Sequence, residues 1–472
     1  MAFFLSLSAT ALFGAVVADD DLPDAGGYAL ILDGGGTAGS PAQYVVGQTP
    51  GYTLEVPNDS LYLGVNKSYN SLTLQSGGKL TSYGGFLGSN SNSNYNSVTV
   101  TGSGSTWTNT YQVWIGDSGS YNSLVIENGG EVLSPLTHIG SGETSDYNSV
   151  TVRGTGSKWT ISKGFIVGSS GSDNSLTISD GGSVTAALTG TIGNSTSSAD
   201  NVVTVTGATS SWSVGSTLTV GAYGQSNSLV IQNGGKVTSA LGVIGQRGEA
   251  TGNSVTVSGK NSQWTMTGDF ETGAGANSSL SILAGGRVEN YHATVGSNSF
   301  SEGASVLVSG KNSTWMIKGD LDISPLNNAS NNSVTILDRG LVIVDGALSI
   351  GSSFVPTVDD FLNLDGGFLA WKGDKVSALE AMIAGGTVRG FVDSTWQSVD
   401  ASHFNLAFLA DEAAALDFTS GLYGSLAGYT VLTTFSAIPE PGTTAAIFGV
   451  VALAGVWWHR SRREKRNGSA TA

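Results

Sequence analysis

Five tryptophans return at one place in a repeated phrase: Trp107, Trp159, Trp212, Trp264 and Trp315. An indole face stacks well on a sugar ring, so an outward row of them would form a glycan-contact platform. An inward row would be core or corner packing, the reading that the size and apolarity of Trp favour. Acid–base chemistry is the other kind to seek. Lyase chemistry on polysaccharides wants clustered carboxylates with an Arg or Lys base, and hydrolysis wants facing carboxylates. Neither pattern stands out. Glu127, Glu131 and Glu143 fall on neighbouring copies of the repeat and read as solvated charges, and Asp359 and Asp360 are adjacent residues of an irregular stretch. His138, His292, His403 and His459 lack metal-ligand spacing, and the absence of Cys removes disulfides and Cys-based zinc sites. The sequence thus assigns no catalytic residue, no metal site and no cofactor.

The elements that carry these residues are copies of one phrase. Asn122-Ser123-Leu124-Val125-Ile126-Glu127-Asn128-Gly129-Gly130-Glu131-Val132 recurs about every 26 residues, opening at Asn70, Asn96, Asn148, Asn174, Asn227, Asn253 and Asn332, with degenerate copies at Asn201, Ser278 and Ala304. Copies ending in a Gly pair alternate with copies ending in Trp, so the larger unit is about 52 residues. Both forms close on an aliphatic residue followed by Gly, such as Ile115-Gly116 or Ile139-Gly140.

After the Asn, apolar side chains sit two apart, which is strand alternation. The Gly pair predicts a tight corner with positive φ, and the aliphatic-Gly pair predicts another. Each rung is then two or three short strands. Stacked at about 4.8 Å, the rungs put Leu124 over Val150 and Ile126 over Val152 in a continuous core. Asn at one corner tolerates left-handed φ, and stacked Asn amides can form a hydrogen-bonded ladder. The predicted fold is all-β, a parallel β-solenoid (β-helix) of about 26-residue rungs, plus one C-terminal transmembrane helix.

The alternating Asn-Ser-Leu-x-Ile-x-x-Gly-Gly-x-Val and Thr-Gly-x-Gly-Ser-x-Trp phrases resemble the repeat shared by type V secretion (autotransporter) passengers and PEP-CTERM surface proteins, over roughly 61–351. That resemblance implies an exported, elongated surface protein and no defined reaction. The tail carries a second one. Ile438-Pro439-Glu440-Pro441-Gly442 precedes an apolar run, 443–458, and then the basic cluster Arg460, Arg462, Arg463, Lys465 and Arg466. The run is slightly short of the ~20 residues that span a bilayer, and its paired Trp and flanking Arg suit an anchored helix with the basic end in the cytoplasm. This tripartite tail resembles the PEP-CTERM sorting signal, with Pro439, Glu440 and Pro441 matching the motif. It implies recognition by a membrane-embedded exosortase, removal of the helix, and delivery from the inner membrane of a Gram-negative bacterium to its surface or exopolysaccharide matrix.

The remaining segments fit that plan. Residues 1–18 are apolar, uncharged and end before Asp19-Asp20-Asp21, as a secretory signal does, though without a basic start. Residues 19–60 read as the N-terminal cap and first rung, 61–351 as the repeats, and 352–436 as worn rungs and a C-terminal cap, with a helical turn over 376–382. The sorting signal occupies 437–466, and 467–472 form a short tail. The 472-residue chain has 68 Gly, 12% charged residues and a net charge of −16, which becomes −20 without residues 460–466, whose five basic residues flank Glu464. An acidic body of this kind repels nucleic acid and suits an extracellular surface. The expected partners are the exosortase, the membrane before processing, and extracellular polysaccharide. Two functions follow: a structural or adhesive surface protein, favoured, and a polysaccharide-active enzyme on the same scaffold.

Overall fold

The computed structural model describes residues 7–9, 16–19, 22, 29–56, 58–299, 301–326, 329–351, 359–411 and 426–434. It is a parallel β-solenoid of about 14 turns, each close to 26 residues. One turn has three strands, exemplified by Ser123–Glu127 on a first face, Glu131–Ser134 on a second and Leu136–Ile139 on a third. Each strand pairs in parallel with its counterparts one turn before and one turn after, so Leu124 lies between Val98 and Val150, and Ile126 between Val100 and Val152. These residues are buried, as the alternation of apolar and polar residues demands.

The corners depend on a buried amide. The Asn122 backbone N–H and side-chain Nδ2 both donate to Asn148 Oδ1, at 2.8 and 3.1 Å, and Asn148 donates to Asn174 in the same way. This ladder runs from Asn70 to Asn253. It lapses at Ser278 and Ala304, where Asn253 Nδ2 turns to the carbonyls of Gly224 and Ala250. It resumes at Asn332, whose N–H ends on Asp360 Oδ1 at 2.9 Å.

Two local expectations need correction. The left-handed residue at this corner is the one before the Asn, as at Tyr121 (φ 58°) and Tyr147 (φ 58°), because the Asn side chain must point inward to reach the next turn. In the Gly pair only the first residue, Gly129 (φ 85°), is left-handed. Gly130 is needed for space, since a Cβ there would stand 2.3 Å from the Val100 carbonyl oxygen.

The Trp residues alternate with aliphatic residues in the interior column of the second face: Trp107 lies over Leu80 and under Val132, and Trp159 between Val132 and Val184. Each indole leans toward the preceding turn, and a small residue 22 positions earlier on the third face makes room for it in three cases. A Cβ on Gly85 would stand 2.2 Å from the Trp107 ring, one on Gly190 3.0 Å from Trp212, and one on Gly242 2.6 Å from Trp264. On the third face the Trp-bearing turns carry large residues, Phe165, Leu218 and Phe270 among them, and Phe165 and Phe270 meet the indoles edge-on.

The two ends are built differently. Val16–Ala18 pairs in parallel with Gln43–Val45, and the Asp19 carboxylate accepts the N–H groups of Gly47, Gln48 and Thr49. Leu7–Ala9 likewise pairs in parallel with Leu30–Leu32, so short strands lie within the residues expected to form a signal. At the other end helix α1, Val376–Ala384, sets Leu379 and Ile383 on the core, extending the expected helical turn. Tyr429–Thr434 pairs antiparallel with Phe368–Lys372 and Phe404–Leu409, so the parallel ladder stops. Among the described residues no helix is long and apolar enough to cross a membrane, and 435–472, with the expected transmembrane helix, lies outside them.

Indole N–H groups in this core are satisfied unevenly. Trp107 Nε1 donates to Ser82 Oγ at 3.2 Å and Trp264 Nε1 to Ser239 Oγ at 3.1 Å, but Trp159 Nε1 has no partner, because Ser134 at that place bonds Thr137 instead, and Trp212 Nε1 has none, because the place holds Ala186. Ala186→Ser is expected to stabilise the chain by about 1 kcal/mol, the net worth of one buried hydrogen bond. Ser239→Ala should move the thermal midpoint the other way, both being read by circular-dichroism melting.

Candidate functional site

The five Trp expected as glycan contacts, Trp107, Trp159, Trp212, Trp264 and Trp315, are 0–1% exposed, so none offers a face to a ligand. They are core, and the glycan role is withdrawn from them. Pro439, Glu440 and Pro441, and Arg460, Arg462, Arg463, Lys465 and Arg466, lie outside the described residues. The acids singled out earlier are partly spoken for. Glu127 accepts from Arg153 Nε of the next turn at 2.8 Å, and Glu131 stands 3.4 Å from Lys158 Nζ. Asp360 ends the Asn ladder. His292 Nδ1 accepts the Asp320 N–H at 2.9 Å. Among the described residues no group of three or more His, Cys, Asp or Glu is gathered for a metal.

The structure assembles a site elsewhere, from aromatic residues that the repeat does not require. On the outward side of the third face the strands Leu61–Leu63, Lys79–Leu87, Thr106–Ile115 and Leu136–Ile139 stack side by side. Their register places Tyr62, Phe86, Trp114 and His138 in one row. Tyr62 and Phe86 stack with centroids 5.0 Å apart; Phe86 meets Trp114 edge-on at 5.4 Å; Trp114 and His138 are parallel at 5.6 Å. Beside this row, at the corner from the second face, Tyr83 and Tyr111 stack at 5.1 Å and are exposed. At the opposite corner Tyr69, Tyr95, Tyr121 and Tyr147 form a ladder with spacings of 4.8–4.9 Å. Later turns carry Thr191, Thr219 and Glu271 in the row of Trp114, so the aromatic side belongs to the early turns alone.

This side has unmet polar groups. Ser89 Oγ, Trp114 Nε1 and His138 Nδ1 are buried without hydrogen-bond partners, an arrangement that calls for a water or a ligand. Burial lowers the His138 pKa to about 4, so its ring is neutral at ordinary pH. Burial raises the Asp117 carboxyl to about 6. Asp117 follows the strand that bears Trp114, and Asp59 precedes the strand that bears Tyr62. After burial itself, the charges of Asp59 and Asp117 help to raise the Tyr62 phenol, so both carboxylates lie within electrostatic reach of the row. Chemically the surface offers ring edges and faces, a neutral imidazole and carboxylates at its margins, a combination suited to contact with a ligand that is part apolar and part hydroxylated.

The sequence did hold a signal for this side. Tyr precedes the ladder Asn at positions 69, 95, 121 and 147 and gives way to Asp173, Asp200 and Ser226 further on. A left-handed position seldom takes an aromatic residue, so four in succession mark a local requirement beyond the turn itself. Comparison with protein-family models, curated proteins and solved structures finds no match for the chain.

Asp117 supplies a pH test. Its folded-state pKa of about 6 exceeds the ordinary 3.8, so the folded chain holds this proton more tightly than the unfolded chain does. The associated stability is complete below pH 3.8 and is lost as pH rises through about 6. Asp117→Asn, which has no proton to lose, should match the parent below that range and be more stable than it above. Thermal or denaturant unfolding of both proteins across the range reads the difference.

Proposed function

We propose that this chain is an exported structural or adhesive protein of a Gram-negative cell surface or extracellular matrix, delivered by an exosortase-type system. The observation that carries the proposal is the tail: Pro439-Glu440-Pro441, a short apolar run and a basic cluster, joined to a long solenoid with ordered ends. Pro439 and Pro441 keep the approach to the apolar run extended and open to a protease, and the run is short enough to suit a transient membrane stop. The secretory signal belongs to the same proposal. Cleavage after Ala18 would remove the Val16–Ala18 strand and leave Asp19, whose carboxylate holds the Gly47–Thr49 loop, with the mature chain. Inter-turn ion pairs such as Glu127 with Arg153 and Glu289 with Lys318 suit a shaft. The aromatic side supplies an adhesive contact, with extracellular polysaccharide as the partner.

In a host with an exosortase, the mature protein should end near Pro439-Glu440-Pro441 and lack Trp457 and Trp458. Mass spectrometry of the natural protein decides this: a chain still ending at Ala472 means an ordinary anchor. Substituting Pro439, Glu440 and Pro441 together should hold the full-length chain in the inner membrane.

One observation favours the enzymatic alternative. The Asp117 carboxyl, which burial raises to about 6, stands at one aromatic row that the Asp59 carboxylate also reaches, and a carboxyl held protonated into that range can act as a general acid. If that pair worked as a glycosidase, the purified chain would release reducing ends from polysaccharides and Asp117→Asn would abolish the release. The structural reading expects no release from either protein.

A further inference from the structure

The first face differs from the other two in a way that the fold does not require. Its strands run in register from Asn70–Leu74 to Ser333–Leu337, with one column of outward side chains from Ser71 to Ser333 and a second, two residues along, from Thr73 to Thr335. The first column is Ser at every turn except Val202. The second is Thr or Ser except for Val125, Val230 and Leu307. Neither column holds a charged residue, although the chain carries a net charge of −16, and the third outward column, from Thr101 to Leu337, has only the charges of Glu127 and Arg153, which pair with each other. The second face, by contrast, presents Lys79, Glu131, Lys158, Lys236 and Arg287 at its first outward position.

Thr suits a strand, but Ser is not among the residues enriched there. The Ser hydroxyls of the first column make no hydrogen bond among the described residues, so nothing inside the fold accounts for them. What they form together is a lattice of hydroxyl groups, spaced about 4.8 Å from turn to turn and about 6.6 Å along each strand. The side chains are short and lose little rotamer entropy on contact. A single such hydroxyl contributes little; a rigid array gains when its ligand repeats as regularly as it does. An anionic ligand would find no Arg or Lys in these columns and an acidic body around them.

We propose that the first face is a docking surface for the flat face of an ordered, neutral polysaccharide, such as a β-glycan fibre. This goes beyond the reading of the chain as a surface or matrix protein, and it uses a different side of the solenoid from the aromatic row. Neutrality, hydroxyl density and two-dimensional repeat are all properties that the ligand and this face would share.

The test is depletion of the purified full-length chain, in a sugar-free detergent, by cellulose and chitin powders. Saturable depletion is expected, and Thr151→Lys, Thr177→Lys and Thr204→Lys together should weaken it about tenfold or more, equivalent to 1.4 kcal/mol. A control with the same added charge on the second face, Thr160→Lys, Thr185→Lys and Thr238→Lys, should bind like the parent, with melting curves confirming that all three proteins are folded. No depletion, or equal loss in both variants, overturns the proposal. So does partition into growing ice without binding to the powders, which would make ordered water the partner, and so does depletion that only reflects self-association of the chain on sedimentation. Failure here leaves the sorting proposal standing, because where the mature protein ends and resides is read separately.

Discussion

A buried primary amide with one turn's worth of reach sets the terms for this molecule. Each ladder Asn gives two donors to the Asn oxygen of the next turn, and an amide left unpaired in the core would cost about 1–3 kcal/mol. Neighbouring corners must therefore superimpose, which fixes the length of a turn. The ladder also dictates residues distant in sequence. Gly116 lies 32 positions before Asn148, yet a Cβ on Gly116 would stand 2.2 Å from the Asn148 amide nitrogen. The aliphatic-Gly pair and the Asn that opens the second copy after it are thus one device, although they sit at opposite ends of the repeat.

With the corners held, the interior is free to vary by volume. The Trp of one turn extends into space left by Gly85, Gly190 or Gly242 of the turn before, and close packing leaves no tolerance for a side chain in that space. Polar atoms follow the same rule. Ser82, Ser239 and Asn290 receive an indole N–H from the next turn, and where Ala186 stands the proton is stranded. The outward faces are under no such constraint, and each has taken a separate character: hydroxylated on the first, charged on the second, aromatic over the early turns of the third.

Much of this could be read from the sequence, and the reasons for what could not are physical. Period, strand alternation and the columns of Leu124, Ile126, Val150 and Val152 are local consequences of side-chain spacing, and the α1 turn was expected over 376–382. Identifying the left-handed residue was harder, because Asn is the usual occupant of such a conformation and only the inward reach of its amide shows that Tyr121 must take it. Whether the Trp row faced in or out depended on its neighbour 22 residues earlier, a relation across turns that spacing within one copy does not reveal. The candidate site was least legible. Tyr62, Phe86, Trp114 and His138 share no motif and come together only when four turns are laid in register.

The lean of each indole toward the preceding turn also bears on how such a chain can change length. Trp107, Trp212 and Trp264 need the Gly on the third face of the turn beneath, a place that Phe165 or Leu218 would fill. Loss of a Gly-pair turn or duplication of a Trp-bearing one would set two Trp-bearing turns together, with a large residue where a void is required, and the converse events would leave a void that no indole fills. Loss or duplication of two turns would leave every contact of the repeat in place. The heritable unit of growth is therefore the pair, and shafts of this design should differ in length by steps of about 52 residues while keeping the same polarity from one end to the other.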